Sequence, residues 1–109
     1  MVKTTKNTEM QRLEIALDGF FDHFNVKELA QALENAKDFS AVIIDLSSLE
    51  AAGSALADAL ITFWKKYPSD AKKVTLQNPS PIVDDTIRIT QMDHLFKVNR
   101  KKTFSASFC

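Results

Sequence analysis

The spacing of apolar residues predicts strands at several places along the chain. Residues 13–18 alternate between large apolar side chains and small or charged ones, which is typical of a half-buried strand that ends at Gly19. Residues 41–46 form a nearly continuous apolar run rich in β-branched side chains, which predicts a central strand covered on both faces. Residues 73–77 predict a short strand, and residues 96–98 could add one more.

Helical spacing of apolar residues predicts three helices between these strands. The first covers residues 26–36, with Asn25 as its N-cap. The second covers residues 54–66 and ends at two lysines, which suit the negative end of a helix dipole. The third starts after Ser80, a possible N-cap. The apolar residues expected on its inner side are Ile82, Val83, Ile87 and Ile89.

The alternation of strands and helices indicates an α/β fold with a single domain. Because each helix can serve as a crossover to a parallel neighbour, we expect a mixed, mostly parallel sheet of four to five strands flanked by helices. The expected domain spans residues 11–98. Residues 1–10 are polar and predict a flexible lead-in, and residues 99–109 predict a C-terminal tail or an edge strand.

Composition and charge narrow the class of protein. The 109 residues are 45% hydrophobic, which suits one compact domain. Fourteen Lys and Arg balance fourteen Asp and Glu, so the net charge does not favour nucleic acid as a partner. The longest apolar run, residues 41–44, is far shorter than a membrane span requires, and residues 1–10 lack the apolar segment of a secretory signal. We therefore expect a soluble cytoplasmic protein without an integral membrane segment.

The inventory of reactive residues removes most catalytic chemistry. Cys109 is the sole cysteine, which excludes an intrachain disulfide and a Cys/His metal set. The two histidines are His23 and His94, and the two glycines, Gly19 and Gly53, are too few for a glycine-rich phosphate loop. We expect no metal, no cofactor and no enzyme activity, and a domain that binds a partner is favoured.

The most informative segment is residues 42–56, in which a strand ends, the chain turns at Gly53 and Ser54 opens the second helix. Partners and ligands often meet open α/β sheets at the carboxyl ends of the strands. The Ser54 hydroxyl can cap the helix, which is the commoner role and contributes about 1 kcal/mol. It can instead accept a phosphate, whose negative charge would lie at the positive end of the helix. Asp58 lies one turn later on the same helical face.

Aromatic residues lie between the first strand and the first helix. Phe20, Phe21 and Phe24 have two interpretations: burial in the core, which is commoner for aromatic residues in such a position, or exposure as a docking patch. Asp22 stands among them and can support the start of the helix. His94 has no second titrating residue near it in the sequence, which favours a structural role.

The order of these segments resembles the STAS domain, the fold of the bacterial anti-sigma factor antagonists. The resemblance covers about residues 13–98 and depends on the order and spacing of its parts rather than on one motif. Those parts are the step at residues 19–22, the strand end at 45–47, the turn into the helix at Ser54, the strand and turn at 73–80 and the ending at 92–98.

The resemblance implies a phosphorylation site. The family's strand-to-helix turn commonly reads Asp-Ser-Ser-Gly or Asp-Thr-Ser-Gly, and a partner serine kinase phosphorylates the residue after the Asp. Aligned without gaps, Gly53 falls on the Asp, Ser54 on the phosphorylated residue, Ala55 on the next Ser and Leu56 on the Gly. These differences from the family turn affect how a kinase would recognise it. They affect the acceptor hydroxyl of the serine less. Leu56 is expected to offer an apolar side chain that a partner can bury.

The resemblance also implies partner switching in the regulation of transcription. The unmodified domain would bind an anti-sigma factor or a related serine kinase, and phosphorylation of Ser54 would release it. A metal-dependent serine phosphatase would reset the switch, while ATP and Mg²⁺ would belong to the kinase. The residues expected near the docking surface are Asp22, Gly53, Ala55, Leu56 and Asp58.

Two other functions stay open at this point. One is a STAS scaffold or transporter-associated structural subunit that is never phosphorylated, which the altered residues around Ser54 favour. The other is a small hydrolase that uses Ser54 with His94, although the sequence has no nucleophile elbow and no evident acid to orient the histidine.

Overall fold

Strands and helices account for most of residues 2–100, which are the residues that the computed structural model describes. The strands are β1 (Val2–Asn7), β2 (Arg12–Phe21), β3 (Ala41–Ala52), β4 (Val74–Gln77) and β5 (Lys97–Asn99). The helices are α1 (His23–Leu33), α2 (Ser54–Lys66), α3 (Pro68–Ala71) and α4 (Pro81–Ile89). Short 3₁₀ segments cover Glu34–Asp38 and Met92–His94.

The strands form one sheet in the order β1-β2-β3-β4-β5. β1 is antiparallel to β2, and the other neighbouring pairs are parallel. The parallel pairs are joined by crossovers that contain helices, as parallel strands require. This arrangement confirms the predicted α/β fold with a mixed, mostly parallel sheet flanked by helices.

The helices pack on one face of the sheet. In β3, Val42, Ile44 and Leu46 are fully buried, whereas the alternate residues of that stretch are only partly buried. The buried apolar side chains of strands and helices belong to a single cluster. The expectation that β3 is covered on both faces is therefore wrong. Its continuous apolar run includes Ile43, which lies on the open face beside charged and polar side chains of neighbouring strands.

The N-terminal segment differs from its prediction, because the expected lead-in of residues 1–10 contains strand β1. Val2–Asn7 pairs residue by residue with the first half of β2, and Val2 packs against the core. The strand carries β-branched threonines, which suit extended backbone. Its burial is low along most of its length, so it has little of the apolar alternation by which strands are recognised in a sequence.

Strand β2 continues past Gly19, its predicted end. Gly19 has a positive φ of 70°, a conformation that glycine adopts without steric cost, and the register with β3 shifts between Gly19 and Phe20. The alternation of the strand then buries Phe21 and exposes Phe20. Helix α1 follows at once, three residues before its predicted start.

The N-cap of α1 is Asp22 and not the predicted Asn25. The Asp22 carboxylate accepts a hydrogen bond from the Phe24 amide at 3.0 Å, and the Asn25 side chain accepts one from the Asp22 amide at 3.1 Å. These reciprocal bonds form a capping box. Asn25 therefore belongs to the cap, but from inside the first turn.

The other two predicted helices have the expected starts. α2 covers residues 54–66 as predicted, and Ser80 caps α4 by accepting a hydrogen bond from the Val83 amide at 3.4 Å. The inner side of α4 is narrower than predicted. Val83 and Ile87 are fully buried, but Ile82 and Ile89 are largely exposed because they flank that stripe on the helix.

The end of the described chain is tied to α4. The Arg100 guanidinium donates to Asp84 at 2.9 Å, and Asp84 also pairs with Arg88 of the same helix. Of the expected tail or edge strand at residues 99–109, Asn99 belongs to β5, and residues 101–109 lie outside the described part of the chain.

Candidate functional site

The two longest strands bring Asp22 and Ser54 together at one edge of the sheet. β2 and β3 are parallel and their last residues, Phe21 and Ala52, are register partners. The chain therefore leaves both strands side by side, and α1 and α2 begin at neighbouring points. Because both segments follow carboxyl ends of parallel strands, they occupy the edge at which such sheets commonly bind other molecules.

A shallow depression of about 520 Å³ lies between these two helix starts and is open to solvent. It is lined by Phe21, Asp22, His23, Val26, Gly53, Ser54, Ala55 and Asp58. We call it the Ser54 depression. Residues from α1 and α2 line it about equally, so its shape depends on the packing of these two helices against each other.

Ser54 is exposed and is the first residue of α2, not its cap. Gly53 is the N-cap, with extended backbone angles (φ −94°, ψ −155°) and no side chain that could accept a hydrogen bond. The interpretation of Ser54 as a helix cap is therefore wrong. Its hydroxyl makes no hydrogen bond to residues 2–100, so it is available to chemistry without loss of a structural contact.

The charged groups around the depression are mainly acidic. Asp22 and Asp58 are exposed carboxylates, and no Lys or Arg stands among the described lining residues. The free amide groups at the start of α2 supply a partial positive charge close to Ser54. A phosphate on Ser54 would be favoured by these amides and opposed by Asp58, which lies on the same helical face one turn later.

Four of the five residues expected near the docking surface line the depression together with Ser54: Asp22, Gly53, Ala55 and Asp58. The fifth expectation is wrong. Leu56 is fully buried, in one cluster with Leu60 and Phe63 of the same helix. These residues have the spacing of one helical face, so the side chain two positions after Ser54 turns into the core.

Two residues at this edge are more exposed than the sequence analysis favoured. Phe20 is 68% exposed and Phe24 is 75% exposed, whereas Phe21 is buried. Phe24 stacks on His23, with ring centroids 4.2 Å apart. The favoured interpretation of these phenylalanines as core residues therefore holds for one and fails for two. The alternation of β2, continued through Gly19, was the signal that could have assigned Phe20 to the open face.

His94 does not join Ser54. It lies in the 3₁₀ segment that precedes β5, at the amino end of the parallel strands, while Ser54 follows the carboxyl end of β3. The histidine that lines the Ser54 depression is His23, whose ring stacks on Phe24. The arrangement does not support a hydrolase that pairs Ser54 with His94.

Two further findings concern residues 2–100. Within this part of the chain, no cluster of three His, Cys, Asp or Glu side chains could hold a metal ion. None of its helices combines the length and apolar character needed to cross a membrane.

Solved structures with the same fold include several anti-sigma factor antagonists. SpoIIAA in its unphosphorylated form has a TM-score of 0.74 at 14% identity, covering 98% of this chain and 95% of that one. An anti-sigma factor antagonist from Mycobacterium paratuberculosis has a TM-score of 0.75 at 20% identity, covering 98% and 92%. The Bacillus cell fate determinant SpoIIAA in its phosphorylated form has a TM-score of 0.65 at 14% identity and full coverage of both chains.

At these identities the structural likeness concerns the fold alone, and no curated protein matches the sequence significantly. The family model of the STAS domain, however, matches residues 1–106, which is nearly the whole chain and includes the unpredicted strand β1. The resemblance inferred from the sequence is thereby confirmed, and the chain belongs to the STAS domain family.

Proposed function

We propose that this protein is a regulatory binding protein of the anti-sigma factor antagonist type, which changes partners when a kinase phosphorylates Ser54. The observation that carries the proposal is the position of Ser54. It is exposed at the first position of α2, its hydroxyl makes no hydrogen bond to residues 2–100, and it stands where the STAS resemblance implies the phosphorylated residue. A similar fold is known in both an unphosphorylated and a phosphorylated form, that of SpoIIAA.

In the proposed cycle the unmodified domain binds an anti-sigma factor or a related serine kinase, which brings ATP and Mg²⁺. The Ser54 oxygen attacks the γ-phosphorus of ATP, an oxygen–phosphorus bond forms, ADP leaves, and a base of the kinase takes the hydroxyl proton. A metal-dependent serine phosphatase later hydrolyses the phosphoserine and restores the hydroxyl. The domain itself contributes the acceptor and the docking surface, and we expect no catalysis of its own. A cytoplasmic location stays a prediction.

The release step follows from charge. A phosphate adds roughly −1.5 to −2 charge. The fold can accept this charge because Ser54 is solvent-exposed and the α2 amide groups lie beside it. A partner that covers Ser54 must desolvate the phosphate next to Asp22 and Asp58, which line the same depression. Like-charge repulsion and desolvation then weaken the complex while the domain stays folded.

The direct test is to map the phosphate. The protein is incubated with ATP and each purified serine kinase of the anti-sigma type encoded in the same genome, and the modified residue is located by mass spectrometry. We expect phosphate on Ser54, and none on the Ser54→Ala variant. Ser80 is an internal control, because its hydroxyl is engaged in hydrogen bonds at the start of α4. Phosphate only at other residues, or none with any kinase, would contradict the proposal.

A second function has a specific observation in its favour. Gly53, Ala55 and Leu56 replace the Asp, Ser and Gly that flank the phosphorylated residue in the family pattern, and Leu56 is part of the core. A kinase that reads those residues would not recognise this turn. The alternative is a non-phosphorylated STAS scaffold or transporter-associated subunit. It predicts a stable stoichiometric complex whose affinity is the same for wild type and Ser54→Asp.

A further inference from the structure

We propose that Phe20 and Phe24 anchor the partner at the Ser54 edge, and that this partner presents apolar pockets bordered by Lys or Arg side chains. The inference rests on the proposed function, because it names the chemistry of the protein that covers Ser54. It adds two residues that the family pattern around Ser54 does not include.

Two phenylalanine side chains at this edge are exposed. Phe20 and Phe24 are 68% and 75% exposed, although burial of an aromatic ring is strongly favourable. Both rings lie at the same edge of the sheet, one at the end of β2 and one in the first turn of α1. Aromatic residues that are exposed together in this way are typical of binding surfaces, where they supply much of the affinity.

Both phenylalanines are connected to the Ser54 depression through neighbouring residues. The ring of Phe24 stacks on His23 at 4.2 Å, and His23 lines the Ser54 depression. Phe20 is the register partner of Ala51, three residues before Ser54. Phe24 therefore adjoins the depression on the α1 side, and Phe20 directly precedes Phe21, which lines the depression. A partner that covers Ser54 with an interface of ordinary size, about 800 Å² per partner, extends beyond the depression to neighbouring residues of the same edge.

The charge of the depression indicates the chemistry of the partner. The depression carries the carboxylates of Asp22 and Asp58, and its described lining residues include no Lys or Arg. A partner that buries this surface must supply cations to avoid leaving carboxylates without compensation. Lys or Arg beside apolar pockets meets both needs, and Arg can also lie over an aromatic ring. An anionic partner such as nucleic acid or an acidic membrane is disfavoured by the same carboxylates.

This surface also explains why one phosphate would be enough for release. The cations of the partner are matched to the two carboxylates that already line the depression. A phosphate on Ser54 adds a third negative group and its oxygens inside a contact that the apolar rings keep free of water. Such a group is destabilising in an apolar interface even when cations lie close by, because those cations are already paired with the two carboxylates and do not offset the cost of desolvating the phosphate.

The test measures affinity by titration calorimetry between the full chain and the anti-sigma-type serine kinases of the same genome, each purified. Phe20→Ala and Phe24→Ala should each weaken the complex by about tenfold or more, as expected for aromatic anchors. Asp58→Asn should weaken it less and reduce its dependence on salt concentration. The matched control is Ile89→Ala, because Ile89 is 82% exposed at the far end of α4. It should leave the affinity unchanged.

The outcomes separate this inference from the proposed function. If both phenylalanine variants bind like wild type while Ser54→Asp does not bind, the inference is overturned and the switch stands. If the phenylalanine variants bind weakly while Ser54→Asp binds like wild type, the inference stands and the switch fails. Affinity that increases in Asp58→Lys would overturn the basic partner. If no purified kinase of this type binds the wild-type chain, both proposals are contradicted.

Discussion

Helices α2 and α4 begin in similar places but use their serines differently. Each helix follows the carboxyl end of a strand of the parallel part of the sheet, and each has a serine at its start. Ser80 is the N-cap of α4: it accepts from the Val83 amide at 3.4 Å and donates to the Leu49 carbonyl at 3.3 Å. Ser54 lies one position further into its helix, after the cap Gly53, and is exposed.

The difference between the two helix starts is a shift of one residue. A serine at the N-cap satisfies a backbone amide and becomes part of the fold. A serine at the first helical position leaves that task to the preceding residue, and in α2 Gly53 provides no side chain for it. Helix α2 therefore lacks a side-chain cap. Its exposed Ser54 hydroxyl lies beside the free amide groups at the helix start, which carry a partial positive charge. The stability of variants at the two helix starts tests whether Ser80 is part of the fold and Ser54 is not.

The largest effect is expected at Leu56, on the buried side of the α2 start. Leu56→Ala should lower the free energy of unfolding by about 2 to 5 kcal/mol, because it leaves a cavity in the core. Urea unfolding followed by circular dichroism measures this change. The control is Leu56→Met, which preserves volume and should cost less than about 1.5 kcal/mol. A stable Leu56→Ala variant with impaired partner binding would mean that Leu56 belongs to the docking surface after all.

Ser80 should show the next largest effect. Ser80→Ala removes the cap of α4 and leaves the Leu49 carbonyl without its hydroxyl partner, which should cost about 1 kcal/mol of unfolding free energy. Ser80→Thr, which keeps the hydroxyl, should recover part of that loss. An unfolding free energy equal to that of wild type in Ser80→Ala would remove the contrast between the two serines.

A cap can be added at α2 to make the two starts alike. Gly53 has extended backbone angles, and a Cβ placed there meets no atom within 4 Å. Gly53→Asp should therefore raise the free energy of unfolding by about 0.5 kcal/mol, because its carboxylate accepts an amide hydrogen bond and places a negative charge at the helix start. Gly53→Asn caps without the charge and separates the two contributions. A destabilised Gly53→Asp variant would contradict the described geometry of the α2 start.

The smallest effect is expected at Ser54 itself. Ser54→Ala should change the unfolding free energy by less than about 0.5 kcal/mol, because the replaced side chain is exposed and has no hydrogen bond within the described part of the chain. The same urea unfolding experiment on wild type, Ser80→Ala and Ser54→Ala gives the comparison in one series. A loss at Ser54 as large as that at Ser80 would show that the Ser54 hydroxyl is part of the fold.

Much of the fold was predictable from the sequence because it depends on regular apolar spacing. The strands around residues 13–17 and 42–46, and the full extent of α2, follow directly from that spacing. Strand β1 was not predictable in this way. It lies at the edge of the sheet with mostly exposed side chains, so its stability comes from pairing with β2 rather than from an apolar pattern.

The candidate site was predictable in its location but not in its details. The position of Ser54 after a strand and before a helix fixed the edge of the sheet at which it lies. The sequence could not decide between Gly53 and Ser54 as N-cap, because both residue types are accepted there. The burial of Leu56 was predictable from its spacing to Leu60 and Phe63, which puts the three residues on one helical face. The alignment to the family turn, in which Leu56 falls on the Gly, favoured an exposed position instead.

The exposure of Phe20 and Phe24 depends on where β2 ends and where α1 begins. Phe20 faces outward because β2 continues through Gly19, a residue whose positive φ is compatible with a strand end as well as with a bulge. Phe24 is exposed in the first turn of α1, which starts at His23 after the cap Asp22 and not at the predicted residue 26.

The most direct test of the account is the affinity of the partner for variants at position 54, measured together with their stability. Against the purified anti-sigma-type kinase that binds wild type, Ser54→Ala should keep its affinity, and Ser54→Asp should lose about tenfold or more, equivalent to about 1.4 kcal/mol. Both variants should unfold at the same urea concentration as wild type. Equal affinity for Ser54→Asp and wild type, with both folded, would contradict the claim that negative charge at this hydroxyl controls binding.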